Sequence, residues 1–336
     1  MKKIINQVEA VVDEALTGLV RTFPQYLIRI PQSRVLARAY PKPEGRVGLV
    51  SGGGSGHEPA HGGYVGYGML DAAVAGEVFT SPTPDQIVEG IKAADRGAGV
   101  LLVVKNYTGD IMNFDIAREL AESAGITCAQ VVVNDDVAVE DSLFTTGRRG
   151  IAGTIFVHKI AGALAEQGAS LKEVQAVAEE VIAHVRSMGF ALTSCTVPAA
   201  GQPTFALADD ELEMGIGIHG EPGIARQPML SARQLADALL KRIAADLGLH
   251  AGQHVAALIN GLGASPLLEL SILAGEVAHW LDQAGVVLDV MWTGEFMTSL
   301  EMAGASVTLL PLDDRRRALL LAACDTPALR QGLRHD

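Results

Sequence analysis

Val100-Leu101-Leu102-Val103-Val104 runs straight into Lys105-Asn106-Tyr107-Thr108-Gly109-Asp110. Five consecutive apolar residues read as a strand buried on both faces, the habit of parallel sheets. A lysine at the carboxyl end of such a strand is uncommon without a partner. Two more segments share the form. Residues 47–50 lead into Ser51-Gly52-Gly53-Gly54-Ser55-Gly56, and Val131-Val132-Val133 ends in Asn134-Asp135-Asp136. Helical segments at 84–95 and 113–124 lie between these strands, and strand–helix alternation predicts an α/β sheet. In such sheets ligands collect beyond the carboxyl ends of the strands, where all three polar loops sit.

Outward from this centre, Ile4, Ile5, Val8, Val11, Val12, Leu16 and Leu19 keep helical spacing over the first segment. Ser170-Leu171-Lys172-Glu173 reads as a capping box, with Gly189 closing that helix. The domain change is placed at this glycine. Strands are then expected near 190–196, 212–218, 255–259, 286–291 and 307–310. Ser265-Pro266 opens a helix that Gly285 ends. The fold predicted is two α/β domains, each a sheet flanked by helices. Residues 1–188 carry the glycine-rich loop, Lys105 and Asp110, and 189–336 carry His219.

Composition sets the outer bounds. A chain of 336 residues is long enough for two cores, and 49% hydrophobic with 19% charged residues is a globular composition. A net charge of −13 without a basic cluster argues against nucleic-acid binding, which needs Lys and Arg on the phosphates. Arg315-Arg316-Arg317 follows Asp313-Asp314 and reads as a solvated helix face. Cys128, Cys195 and Cys324 lie far apart in apolar company and read as buried thiols. Asn6, Gln7, Glu9, Asp13 and Glu14 break up any apolar core of a leader peptide after Met1-Lys2-Lys3, and no apolar run approaches a membrane span. A soluble, cytoplasmic protein is expected.

Three familiar patterns are matched and fail on context. His57-Glu58-Pro59-Ala60-His61 fits H-E-x-x-H, but Pro59 favours a helix starting there and leaves His57 outside it, so no metal is expected. Gly215-Ile216-Gly217-Ile218-His219-Gly220 fits G-x-G-x-x-G, but Glu221-Pro222-Gly223 follows where a dinucleotide site needs a helix. The glycine run at 52–56 suggests a phosphate loop, yet the chain has no Gly-Lys dipeptide. What survives is a backbone-rich turn whose glycine amides at 52, 53, 54 and 56 are free for an oxygen-rich ligand. Beside it are His57, Lys105, Asp110, Asp135 and Asp136, the carboxylates suiting general-base work on a hydroxyl. His219, past a strand, is either a structural loop histidine or an imidazole nucleophile.

Taken together these segments resemble the substrate-binding subunit of the dihydroxyacetone kinases. The matching stretches are Ser51-Gly52-Gly53-Gly54-Ser55-Gly56-His57-Glu58-Pro59, Phe79-Thr80-Ser81-Pro82-Thr83-Pro84 and Lys105-Asn106-Tyr107-Thr108-Gly109-Asp110. Asn134-Asp135-Asp136-Val137-Ala138, Thr146-Gly147-Arg148-Arg149-Gly150, Cys195-Thr196-Val197-Pro198 and Gly217-Ile218-His219-Gly220-Glu221-Pro222-Gly223 also match, in the family's order. The resemblance implies that His219 adds through a ring nitrogen to a ketose carbonyl, forming a hemiaminal. It implies Asp110 as base on the terminal hydroxyl, and His57 as a hydrogen-bonding assistant. Gly54 backbone and the Lys105 side chain would contact substrate oxygens, with Ser81 nearby.

The same resemblance implies a homodimer that binds no nucleotide itself. Magnesium and ADP or ATP would sit on a separate nucleotide-binding subunit, recharged by ATP or by a phosphotransferase-system subunit. Because the attacking nitrogen must be unprotonated, the adduct is expected to weaken below about pH 6.5. Two departures stand out: Asn260-Gly261-Leu262-Gly263 has glycine where the family usually has a second asparagine, and the chain ends at Asp336 without a helical nucleotide domain. Alternatives to dihydroxyacetone phosphorylation are a kinase subunit for a tetrulose such as erythrulose, or a ketose-sensing co-regulator. A metallopeptidase would rest on the flawed pattern at His57 alone.

Overall fold

The computed structural model describes residues 2–141 and 145–332; Met1 and the chain end at Asp336 lie outside them. The first half contains α1 (Val11–Thr22), β1 (Leu27–Arg29), β2 (Val35–Arg38), β3 (Gly48–Ser55), β4 (Ala72–Val78), α2 (Pro84–Ala94), β5 (Val100–Lys105), α3 (Thr108–Ser123), β6 (Cys128–Val133), α4 (Thr154–Glu166) and α5 (Leu171–His184). The second half contains β7 (Arg186–Ala191), β8 (Glu211–Met214), β9 (Ala225–Pro228), α6 (Ala232–Leu247), β10 (His254–Gly261), α7 (Leu267–Gln283), β11 (Val287–Gly294), β12 (Gly304–Pro311) and α8 (Asp314–Leu321). A short hairpin, β13 (Cys324–Asp325) with β14 (Arg330–Gln331), follows.

Two six-stranded sheets result, ordered β1-β2-β4-β3-β5-β6 and β11-β10-β12-β7-β8-β9. In the first, β4, β3, β5 and β6 run parallel, and β1 and β2 form an antiparallel edge. The chain goes from β3 to β4 on one side and returns as β5 on the other, so the strand order reverses between β3 and β5. A crevice opens beyond the carboxyl ends at such a reversal. Gly52–His57 and Lys105–Asp110 leave the sheet there.

Alternation along each strand sends side chains to two faces. Val100, Leu102 and Val104 pack against α2 and α3, while Leu101 and Val103 face α4 and α5. The same inner core takes Ala256, Leu258 and Leu310 from the second sheet, whose other face, with Val255, Ala257 and Ile259, packs on α6 and α7. Helices α4 and α5 are therefore shared between the sheets. The chain also joins them directly: Ser187 N donates to Asp135 O and Val137 N to Ser187 O.

Several boundaries differ from the sequence reading for identifiable reasons. Strand β3 continues through Gly52 and Gly53, which pair with Val74 and Ala75. A Cβ on Gly52 would lie 2.4 Å from Val74 O, so the glycine run permits close strand approach as well as a turn. Helix α3 begins at Thr108, placing Asp110 in its first turn rather than in a loop. The capping box at Ser170 forms, but α5 ends at His184, and Gly189 lies inside β7 opposite Ser306. Ser265 does not cap α7: its hydroxyl exchanges hydrogen bonds with Gly304, and Pro266 is the residue before the helix. No helix starts at Pro59, since residues 58–61 form turns.

Candidate active site

His57 and His219 are 162 residues apart in sequence, yet their Nε2 atoms lie 3.0 Å apart. His57 leaves the end of β3 and is fully buried. Its Nδ1 donates to the Thr298 carbonyl at 2.8 Å, in the segment after β11. His219 stands in the β8–β9 loop, five residues beyond the predicted strand's real end at Met214. Its Nδ1 is 2.9 Å from Glu221 Oε1, and Glu221 Oε2 accepts the backbone N–H of His219 at 2.9 Å. Phe79 stacks on His57, with ring centroids 5.1 Å apart, and meets His219 edge-on at 5.2 Å. Tyr107 meets His219 edge-on at 4.6 Å.

Lys105 and Asp110 stand behind the glycine strand. A Cβ on Gly53 would fall 3.2 Å from Lys105 Nζ and 3.5 Å from Asp110 Oδ2. Both side chains are buried, and Lys105 Nζ, Asp110 Oδ1 and Tyr107 Oη make no hydrogen bond among the described residues. Buried polar atoms of this kind are rare in folded proteins and point to a polar ligand. Burial pushes the Asp110 carboxyl up from the ordinary range, with Lys105 and a Ser81 hydrogen bond restraining it. Burial pulls the Lys105 ammonium down, against Asp110, Glu221 and Asp135. Burial first, then the charges of Lys105 and His219, hold the His57 imidazole well below the usual histidine value.

The structure assembles His57, His219, Lys105, Asp110, Ser81 and Gly54 in one crevice, and sends the other two carboxylates elsewhere. Asp135 accepts Ile151 N–H at 2.7 Å and Gly153 N–H at 2.8 Å, and the Ser187 hydroxyl, pinning the start of α4 to β7. Asp136 pairs with fully buried Arg149 at 2.6 Å. Both carboxylates are engaged by groups of the fold itself. The glycine amides are not all free either, because Gly56 N–H donates to the Glu58 carboxylate at 3.0 Å. The two histidines of the apparent zinc pattern diverge: His57 goes to His219, whereas His61 Nδ1 lies 3.0 Å from His158 Nε2 on α4. Among the described residues no His, Cys, Asp and Glu group has a metal-binding arrangement.

Glu221, Arg149, Phe79, Tyr107 and Thr298 were given no role from sequence. Phe79, Tyr107, Arg149 and Glu221 all lie in stretches that match the family, and Glu221 left a second signal, a carboxylate two residues from the candidate nucleophile. Thr298 acts through its backbone carbonyl, which carries no residue-type signature.

A family profile described as the Dak1 domain matches residues 17–328. The chain belongs to the Dak1 family. It is 57% identical over 316 residues to the "PTS-dependent dihydroxyacetone kinase 1, dihydroxyacetone-binding subunit DhaK" of Listeria innocua, covering 94% of this chain and 96% of that one. It is 45% identical to the "PEP-dependent dihydroxyacetone kinase, dihydroxyacetone-binding subunit DhaK" of Escherichia coli K12, over 99% of this chain and 100% of that one. Among solved Dak1 relatives, the dihydroxyacetone kinase of C. freundii superimposes with a TM-score of 0.90 at 35% identity, covering 98% of this chain and 60% of that one. A "dihydroxyacetone kinase operon co-activator" superimposes at 0.89, also at 35% identity, covering 95% and 98%.

Proposed function

We propose that this chain is the dihydroxyacetone-binding subunit of a dihydroxyacetone kinase, and that it holds the ketose for phosphorylation by a separate nucleotide-bearing subunit. The observation that carries the reading is the crevice itself. Two histidines from different sheets meet at 3.0 Å beside a buried lysine and a buried carboxylate with unpartnered polar atoms. Membership of the Dak1 family supplies the substrate class. In this reading His219 Nε2 bonds the carbonyl carbon, Lys105 and Gly54 backbone hold ligand oxygens, and Asp110 accepts the terminal hydroxyl's proton. Ser81 orients that carboxylate.

A covalent tether suits so small a ligand. Dihydroxyacetone offers few contacts, and fixing its orientation removes much of the entropic barrier to transfer. It also discriminates against glycerol, which has no carbonyl. Magnesium and nucleotide, assigned to the partner, would supply charge stabilisation for phosphoryl transfer. The "dihydroxyacetone-binding subunit" names of the Listeria innocua and Escherichia coli relatives support this division. The "PTS-dependent" names of the Listeria innocua and Lactococcus lactis relatives support a phosphotransferase-system donor. A homodimer in the cytoplasm belongs to the same proposal; no helix among the described residues is long and apolar enough to cross a membrane.

A co-activator, as one structural relative is named, needs a ligand bound but no hydroxyl deprotonated. The buried, upshifted Asp110 beside the histidine pair favours transfer. The test is a ketose panel with the chain's own nucleotide subunit, reading phosphate transfer. Transfer to dihydroxyacetone is expected. Transfer confined to a tetrulose would replace the substrate, and no transfer to any ketose would overturn the enzyme reading.

A further inference from the structure

Asn260, next to last in β10 on the second sheet, is fully buried. A carboxamide offers an oxygen that accepts twice and two N–H donors, and here every one of them is used. Oδ1 accepts the backbone N–H of Phe296 at 2.9 Å and of Met297 at 2.8 Å. Nδ2 donates to Met297 O at 2.8 Å and to Ser306 Oγ at 3.1 Å. Residues 296–300 follow the end of β11 and belong to no helix or strand, so a side chain supplies the partners that a ladder would. The loop after β10 adds to the cradle, with Leu262 O accepting Ser299 N–H at 2.9 Å. Gly261 stands where the family usually has a second asparagine. A Cβ there would collide with the Glu295 carboxylate, at the start of the same segment.

The far side of this segment is tied to the first sheet. Thr298 N–H donates to His57 O at 3.2 Å, and Leu300 N–H to Gly56 O at 2.8 Å. Thr298 Oγ1 donates to Glu58 O at 2.9 Å, and Thr298 O accepts the His57 ring at 2.8 Å. Tyr64 Oη donates to Phe296 O at 2.7 Å. Residues 296–300 are therefore a strap between the sheets, held on one side by Asn260 and on the other by the turn after β3.

We propose that Asn260 is a positioning residue for the ketose site, acting through the strap to hold the His57 ring and its turn in place across the crevice from His219. This rests on the ketose-binding reading above. The Asn260 side chain bonds to the strap and to Ser306, and to neither histidine. Without it, Phe296 N–H, Met297 N–H and Met297 O lose their carboxamide partner, and backbone groups left unpaired in the interior pull toward any other partner in reach. The Thr298 carbonyl is one residue further on. A ring that leans on that carbonyl moves with it, and small misplacements in a binding site are costly.

Three variants test this: Asn260→Ala, Asn260→Asp and Ser306→Ala. The readouts are the His57 Nδ1–H resonance of the free protein in 1H–15N NMR, dihydroxyacetone affinity and melting temperature. In Asn260→Ala the resonance should shift or exchange away, and affinity should fall about tenfold or more. Asn260→Asp keeps an acceptor for Phe296 and Met297 and should recover part of both. Ser306→Ala removes a buried bond to the same carboxamide but none to the strap. It should lower the melting temperature while leaving resonance and affinity near wild type. An unmoved resonance in Asn260→Ala overturns the proposal. So do equal losses in Asn260→Ala and Ser306→Ala, which would mean general loosening. Should Asn260→Ala not fold, Asn260→Asp carries the test, because it still loses the donor to Met297 O and an unmoved resonance there is equally fatal. A wild type that binds no ketose sinks the ketose reading instead, and the free-protein spectrum tells the two failures apart.

Discussion

The Ser81 hydroxyl is hydrogen-bonded to the Asp110 carboxylate, while Asp110 Oδ1, buried in the same crevice, has no partner among the described residues. One oxygen is thus fixed and the other left to act. Burial with a raised carboxyl is the environment that brings an aspartate nearer to useful general-base strength at neutral pH. Asp110→Asn cannot accept a proton, so phosphorylation with the partner subunit should fall by roughly 10²-fold or more. Ketose affinity should largely remain, because the carbonyl bond is made at His219. Normal turnover by the variant would remove Asp110 from the role.

Gly54 touches backbone where other residues would touch side chains. A Cβ there would lie 2.6 Å from Thr80 N and 2.7 Å from Phe79 Cα, neither of which can rotate away. Gly54→Ala should push Phe79 off the His57 ring, weaken ketose binding about tenfold, and cost roughly 1–3 kcal/mol of stability. Gly275→Ala on α7, which meets nothing within 4 Å, is the control and should be neutral or stabilising. Equal melting temperatures for the two variants would refute the steric account.

His219→Ala should keep the fold, since the side chain belongs to a loop and to no hydrophobic cluster. It should lose most ketose affinity and the preference for ketoses over polyols. A high-resolution structure of the soaked wild-type crystal is the direct check. Continuous density between His219 Nε2 and the ketose carbon is expected, and a clear gap at full occupancy rejects the bond.

The isolated chain should not bind Mg·ATP tightly, because no Gly-Lys phosphate loop occurs in its sequence. Equilibrium dialysis showing stoichiometric, tight nucleotide would end the two-subunit reading.

Legibility in the sequence followed the physics of each element. Strands β3 and β5 were visible because strands buried on both faces are continuously apolar; the half-buried edge strand β6 showed only through Val131-Val132-Val133, and the loops these strands aim toward the crevice were visible with them. Helix α4 was not, because Ile155, Phe156, Val157, Ile160 and Ala161 are buried on every side together with His158 and Lys159, leaving no polar face to set a period. Ser231 and Gln234 form a capping box before α6 that the rule found for Ser170 would also have found. The candidate site divides the same way. Lys105 stood out as a charge ending an apolar run. The His57–His219 contact depends on two sheets meeting, and only the family resemblance joined those residues beforehand. The grip of Glu221 on His219 needed coordinates, since a loop carboxylate does not announce its partner by type alone.

Beneath the crevice, the buried His61 and His158 bond to each other at 3.0 Å, leaving His61 Nε2 and His158 Nδ1 without partners among the described residues. Burial, helped by the charge of Lys105, holds His158 down to about 3 and His61 well below the usual histidine value. Unfolded, both would titrate near 6.5. Between about 3 and 6.5 the unfolded chain therefore binds more protons than the folded one, so stability rises with pH across that window. Read downward, the contribution is complete above pH 6.5 and is lost as pH falls toward 3, at up to about 1.4 kcal/mol per pH unit for each histidine. Chemical denaturation at a series of pH values measures the slope. His158→Gln removes one titrating group and should flatten it by up to that amount, whatever the substitution costs at pH 7. An unchanged slope between pH 4 and 6 would mean that this pair is already charged in the folded protein, or that acid lability arises elsewhere, and either outcome rejects the assignment.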